Sequence, residues 1–168
     1  MKKIGMILGL LALLLAGCAA ETTGVTETAE AVQLANPWVD HATLAEAEAA
    51  VGFSLGLSET VAGSYAAEKF RVMNGQLLEV VYRDTEFEVT VRKMAGEGQD
   101  ISGVYTAYDV VQEIEFDGGM CTVKYSKDSA EPSWLHLISM DGYSYSLYAP
   151  NGYWGDSNAD FLGSLGVY

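Results

Sequence analysis

Residues 69–82 read KFRVMNGQLLEVVY and specify the architecture more directly than any other stretch. Apolar and polar residues alternate up to Met73, and alternation with period two is typical of a strand with one buried face. Asn74-Gly75 follows as a strong hairpin signal, because both residues tolerate the positive φ that a tight turn needs. Apolar residues then resume at every second position from Leu78. The stretch predicts two antiparallel strands joined by a short turn.

Further segments with the same alternation follow along the chain, and short polar turns separate them. These turn signals are Asp84-Thr85, Asp117-Gly118-Gly119 and Asp141-Gly142. Short turns favour pairing between strands that are adjacent in sequence. We therefore predict an α+β fold with a single meandering antiparallel sheet of about six to eight strands, a short N-terminal helix and a short C-terminal helix.

Capping signals place the two helices. Thr43 can cap a helix over residues 44–51, which Gly52 would end. Near the C-terminus, Asp156 or Ser157 can cap a second helix. The residues that this second helix would direct inward are Phe161, Leu162 and Leu165.

Composition and charge exclude several classes of protein. The 168 residues include 9 basic and 23 acidic side chains, a formal charge of −14, and 49% of them are hydrophobic. This content is too apolar for a disordered chain, and an acidic chain lacks the basic surface that nucleic-acid binding needs. Two cysteines cannot make a disulfide scaffold or a four-thiolate zinc site. We expect no nucleic-acid partner, no metal and no cofactor.

The N-terminus has the pattern of a secretory signal. Two lysines precede a thirteen-residue apolar run, which is shorter than the roughly 20 residues that span a bilayer. The run is followed closely by Cys18, and the sequence LAGC at 15–18 resembles the lipobox of bacterial lipoproteins. The resemblance implies that residues 1–17 are a signal peptide and that Cys18 is lipidated, with acyl chains anchoring the protein at the extracytoplasmic face of the bacterial cell membrane. An ordinary signal peptide with an incidental cysteine is the alternative.

Residues 18–36, which begin with the lipidated cysteine, are predicted to form a flexible acidic tether. They contain three glutamates and no basic or aromatic residue, and this composition favours a solvated linker. A short helix around residues 28–35 is the alternative. Residues 37–168 are predicted to form a single globular domain. Without residues 1–17 the formal charge becomes 7 − 23 = −16.

Several short motifs recur in one family of domains. They are NPW at 36–38, VGF at 51–53, LLEVVY at 77–82, DISG at 100–103 and DGYSY at 141–145. Together with the acidic, alanine-rich helix they resemble the family catalogued as domain of unknown function 4367, found in Gram-positive lipoproteins and in extracytoplasmic parts of membrane-bound regulators. The resemblance implies a fold and no catalytic residue. The family has a proline near the place of Ser58, and a more distant likeness to half-barrel lipoprotein carriers is an analogy.

Residues 52–56 match the G-x-S-x-G pattern of a hydrolase nucleophile elbow, with Ser54 as the nucleophile. That elbow needs a strand before the serine and a helix after it, whereas here the predicted helix comes first. The pattern therefore favours a helix-to-strand connection with Phe53 and Leu55 buried. A serine hydrolase at Ser54 stays as the alternative, and no catalytic residue is assigned.

The remaining polar candidates do not cluster in the sequence. His41 and His136 are far apart, and Cys121 alternates with apolar residues, so each is interpreted as a packed or surface side chain. Residues 156–160 imitate the start of a calcium loop, but the glycine and glutamate that such a loop needs are absent. Glu97 and Asp100 lie in a predicted loop over residues 95–103 and could bind a cation weakly.

The aromatic residues of the C-terminal region are the best candidates for a binding surface. Tyr153 and Trp154 follow Pro150-Asn151-Gly152 and lie in a predicted loop, and Tyr148 points away from the face that Tyr143 and Tyr145 share. Tyrosine and tryptophan combine flat apolar area with a polar tip, which suits binding of sugars, peptides or protein loops. We predict a possible binding surface at Tyr153, Trp154 and Tyr148, with core packing as the alternative. For Tyr143 and Tyr145 core packing is favoured.

These patterns predict a non-enzymatic, lipid-anchored, extracytoplasmic binding or sensing module. Its expected partners are the membrane, through the acyl chains, and an extracytoplasmic protein, a glycan or an apolar ligand. The alternative is a carrier that holds an apolar ligand in a curved half-barrel sheet.

Overall fold

The computed structural model describes residues 36–126, 133–150 and 155–167. They lie in one compact unit, residues 35–168, with nine strands in one sheet and two helices. The elements are β1 (Trp38–His41), α1 (Leu44–Val51), β2 (Thr60–Val61), β3 (Tyr65–Met73), β4 (Leu77–Arg83), β5 (Glu88–Ala95), β6 (Val110–Phe116), β7 (Gly119–Tyr125), β8 (Trp134–Met140), β9 (Tyr143–Ala149) and α2 (Gly155–Ser164).

The predicted fold class is confirmed. The strand order is β1-β3-β4-β5-β9-β8-β7-β6, with β2 beside β3, and every pair is antiparallel. The sheet therefore consists of two meanders, one that ends at β5 and one formed by β6 to β9. They join through the pairing of β5 with β9, which leaves β6 at the far edge. The nine strands exceed the predicted range by one because β1 and β2, with four and two residues, are too short to give an alternation signal.

The predicted turns form where expected. Asn74 and Gly75 both take positive φ, 53° and 65°, and Asp141 and Gly142 do the same at 54° and 82°. These conformations match the twist of the flanking strands. The Asp84 carboxylate closes its own turn by accepting bonds of 2.7 Å from two backbone N–H groups.

Helix α1 begins and ends as predicted. The Thr43 hydroxyl accepts a bond of 3.2 Å from the Glu46 N–H, and the Glu46 carboxylate accepts one of 3.0 Å from the Ala42 N–H. Gly52 ends the helix in the left-handed region, with φ 80°. Leu44 and Ala47 are buried, so the helix presents its apolar side to β1, β3 and β4.

One face of the sheet, called the helical face here, holds the main core. It includes the residues that alternate from Leu78, and α1 and α2 lie over it. The α2 residue Phe161 packs edge-on against Tyr65 and Tyr82, with ring centroids 5.3 and 5.4 Å apart. Phe161 and Leu162 are buried as predicted.

The opposite face, called the loop face, is covered by residues 96–109. The Gly98 N–H donates to the Ser139 hydroxyl at 2.7 Å, and the Gln99 N–H donates to the Ser144 hydroxyl at 3.0 Å. Ser144 is consequently buried. Backbone hydrogen bonds to serine side chains thus attach the loop to β8 and β9, and Ile101 of the loop is buried as well.

Strands β6 and β7 form a hairpin called the wing here, along which the cover ends. Cys121 and Val123 of β7 are still buried on the helical face, whereas β6 lies beyond the cover. All residues of β6 are exposed or half-exposed, and β6 is the last strand of the sheet, opposite the β1 edge. Ile114, predicted by alternation to lie in an apolar face, is 47% exposed because it lies on this edge strand. None of the described helices has both the length and the apolar character that crossing a bilayer requires.

Candidate functional site

An apolar groove opens on the helical face where the wing meets α2. Its volume is about 200 Å³. Strands β6 to β8 form its floor and the end of α2 forms one wall. The lining residues are Gln112, Ile114, Cys121, Val123, Trp134, His136, Leu162 and Val167.

A row of flat rings borders this groove on β7 and β8. Tyr125 and Trp134 are direct partners across the two strands, and their rings stack with centroids 4.4 Å apart and planes at 13°. The His136 ring continues the row, 6.4 Å from the Trp134 ring and at 12° to it. Because Tyr125 and Trp134 are only half-buried, the row presents aromatic surface beside the groove.

The ionisable groups in the groove are uncharged at neutral pH. Burial lowers the pKa of His136 to about 4, so its imidazole stays neutral. Burial raises the pKa of the Cys121 thiol to about 11, so no reactive thiolate forms. The arrangement suits binding of an apolar or aromatic group and offers no activated nucleophile.

Ser54 lies in the connection that follows α1, in an exposed position. Its hydroxyl donates to the Glu48 carboxylate at 2.8 Å, which also accepts the Leu55 N–H at 2.7 Å. The hydroxyl therefore helps to hold the end of the helix. Leu55 is fully buried as predicted, whereas Phe53, also predicted to be buried, is half-buried against the core.

A buried lysine packs against the two tyrosines that share the helical face of β9. Lys93 is 7% exposed on the helical face, with its amine 4.3 and 4.8 Å from the ring centres of Tyr143 and Tyr145. The amine also donates to the Ser54 carbonyl at 2.5 Å. Burial lowers its pKa, against the opposing charge of Glu48. Core packing of the two tyrosines is thus the observed arrangement, and cation–π contacts contribute to it.

A buried ion cluster on the loop face was also missed by the sequence reasoning. Glu79 is fully buried and forms ion pairs with Arg71 and with Arg92, the latter at 2.8 Å. Arg92 also donates to the Ile101 carbonyl at 3.0 Å. The Trp38 ring lies over both guanidinium groups, at 4.7 and 5.4 Å. The available signal was one glutamate flanked by an arginine on each of the two neighbouring strands.

The two loop carboxylates considered as cation ligands are engaged in holding the loop. Glu97 accepts the Gly142 N–H at 2.7 Å, and Asp100 accepts the Ser102 hydroxyl at 2.6 Å and pairs with Lys124 at 3.3 Å. Burial acts to raise the pKa of Asp100, but these contacts outweigh it and the pKa is lowered. The part of the chain that the structure describes contains no group of three or more side chains suited to hold a metal ion.

Of the predicted site residues, only Tyr148 lies within the described residues. Tyr148 is half-buried on the loop face, where it pairs with Thr90 and Leu135, so it lies on the other side of the sheet from the groove. Cys18, Tyr153 and Trp154 lie outside the described residues. The binding surface predicted from them stays a prediction.

Comparison with known proteins gives no family for this chain. No protein-family model matches it, and neither do any curated proteins or solved structures. The resemblance to the family of unknown function therefore stays a prediction from the motifs.

Proposed function

We propose that the protein is a lipid-anchored, extracytoplasmic binding module that acts without catalysis, and that its partner docks on the wing. The observation that carries the docking site is the uncharged groove beside the half-exposed Ile114 and the Tyr125–Trp134 ring stack. Binding energy in protein interfaces concentrates at a few aromatic or arginine side chains that lie in well-packed, desolvated pockets.

The size of the groove favours a side chain as its occupant. Small-molecule sites usually measure about 300–1,000 Å³, and this groove measures about 200 Å³. A protein partner that inserts one apolar or aromatic side chain fits this volume better than a whole lipid does. The anchor and tether predicted at residues 1–36 supply the membrane location in this proposal.

Site-specific photocrosslinking tests the docking site. A photoreactive residue replaces Ile114 in the membrane-bound protein, and a second variant carries it at Glu68, whose side chain is 52% exposed on the covered half of the sheet. We expect one discrete adduct from position 114 and none from position 68. Equal labelling at the two positions, or none at either, would contradict docking on the wing.

The anchor is tested separately by Cys18→Ala. The variant lacks the thiol that receives the acyl chains, so we expect it to leave the membrane fraction while its circular dichroism spectrum stays unchanged. Retention of the variant in the membrane after removal of residues 1–17 would exclude the acyl chains on Cys18 as the anchor.

The carrier alternative rests on the apolar lining of the same groove. It predicts that native mass spectrometry of the gently purified protein finds a bound lipid that Leu162→Gln removes. Finding only the mass of the protein with its own acyl chains would exclude it.

A further inference from the structure

We propose that β6 binds an extended segment of a partner protein by strand addition, and that this segment alternates apolar and basic residues. The proposal deepens the docking function assigned to the wing and rests on it. Strand addition to an open sheet edge is an established mode of peptide recognition, in which main-chain hydrogen bonds give affinity and alternate side chains give specificity.

The open edge of β6 supplies the hydrogen-bonding groups. The strand has seven residues, and among the described residues it pairs only with β7. In an antiparallel pair the N–H and C=O groups of alternate residues point to opposite sides of the strand. Half of the polar backbone groups of β6 therefore face outward and can pair with another strand.

The side chains of β6 set the pattern of the partner. Ile114 is on the helical face, where it lines the groove, while Glu113 and Glu115 are exposed on the loop face. Directly paired residues of neighbouring strands share a face. An added strand would thus place one set of side chains at the groove and the alternate set beside the two carboxylates.

Charge favours basic residues in that alternate set. Residues 109–117 include four acidic side chains and no basic one. Lys124, which pairs with Val111 in another row of the loop face, forms an ion pair with Asp100. Opposite charges directly across two strands contribute about 0.2–1 kcal/mol per pair, and like charges are destabilising.

The same geometry disfavours a second copy of this chain as the occupant. Antiparallel pairing of β6 with another β6 would place the loop-face row of one strand opposite the loop-face row of the other. In the register centred on Ile114, Glu113 of each copy would face Glu115 of the other, so both glutamates would lie opposite like charges. Edge carboxylates also discourage self-association, so a heterologous basic strand is the occupant that the charges select.

Peptide binding to the purified mature protein tests the proposal. The probe is a fluorescent peptide of roughly seven residues that alternates lysine and valine, matched to the length of β6. We expect saturable binding, protection of outward-facing β6 amides from hydrogen exchange, and loss of binding when alternate peptide nitrogens are methylated. N-methylation removes backbone donors and leaves the charge unchanged, so equal binding of the methylated peptide would overturn strand addition.

Charge variants of the protein test the predicted pattern. The double variant Glu113→Gln/Glu115→Gln should bind the peptide roughly two- to thirtyfold more weakly, because two cross-strand pairs are lost. The control Glu59→Gln/Glu86→Gln changes the net charge equally at exposed sites on the other half of the sheet, and it should bind as the wild type does. If both double variants weaken binding equally, the peptide is attracted only by the net charge of the protein. That result would overturn the assignment of Glu113 and Glu115 as the binding carboxylates.

The two proposals fail in different ways. If the peptide does not bind but Ile114 still gives its specific crosslink, strand addition is wrong and the docking function stands. If the crosslink also fails, both are wrong.

Discussion

Strands β4 and β6 have the same length and similar compositions, yet their environments are opposite. Both have seven residues, LLEVVYR and VVQEIEF, with a glutamate near the middle. Five residues of β4 are buried, and none of β6 is. Glu79 and Glu113 also lie in the same row of residues paired across neighbouring strands, on the loop face. The difference arises from what covers each strand, so composition alone does not identify a buried strand.

The largest expected effect contrasts these two glutamates. Glu79→Ala leaves Arg71 and Arg92 without their buried counter-charge, so the free energy of unfolding should fall by about 3–5 kcal/mol. Glu113→Ala changes an exposed side chain and should alter it by less than about 0.5 kcal/mol. Urea denaturation measures both values. A similar loss of unfolding free energy in the two variants would show that water reaches the Glu79 carboxylate and screens its ion pairs.

The next effect concerns acid. Burial lowers the pKa of His136 from 6.5 to about 4, so the unfolded chain takes up the proton first as the pH falls. Stability should therefore drop between pH 6.5 and 4, by about 3 kcal/mol from this group. Denaturation at both pH values should show a smaller drop in His136→Gln than in the wild type.

The wild type and His136→Gln contain the same carboxylates, which also contribute to the loss of stability in acid. Only the difference between the two losses of unfolding free energy therefore reports on His136. Identical drops would mean that water reaches the His136 ring through the groove, and the contrast between the wing and its inner neighbour β8 would disappear.

The smallest expected effect compares two valines in another row of the loop face. Val81 is 8% exposed on β4 and Val111 is 58% exposed on β6. Val81→Thr buries a hydroxyl and should cost about 1–3 kcal/mol, whereas Val111→Thr should stay within about 0.5 kcal/mol. Thermal unfolding of the two isosteric variants measures this difference. A measurable loss in Val111→Thr would indicate that something covers the outer strand.

Local chemistry made much of the fold predictable. The hairpin turns at Asn74 and Asp141, and the cap at Thr43, are specified by residues that favour these conformations. The strand alternation also identified the helical face correctly. These features depend on neighbours in the sequence, which a pattern can report.

The buried charges were not predictable from the same patterns. Period-two alternation assigns the second face to solvent, so Glu79 and Arg92 read as surface residues. The loop that covers them is polar and attaches through backbone N–H groups to Ser139 and Ser144, a contact that has no hydrophobic signature. The groove depends on where α2 ends relative to the wing, and spacing along the chain does not encode that distance.

The position of Trp38 has a mechanical consequence. The chain enters the sheet through the four-residue β1, and the Trp38 ring rests on two guanidinium groups that Glu79 holds. In a domain held by its N-terminus, tension on β1 would reach β3 through the four paired residues of the two strands. It would also reach β3, β4 and β5 through the contact of the Trp38 ring with the Arg71–Glu79–Arg92 cluster. The edge that would bear this load and the edge proposed for strand addition are opposite edges of one sheet, so tension at the proposed anchor would act far from the proposed docking site.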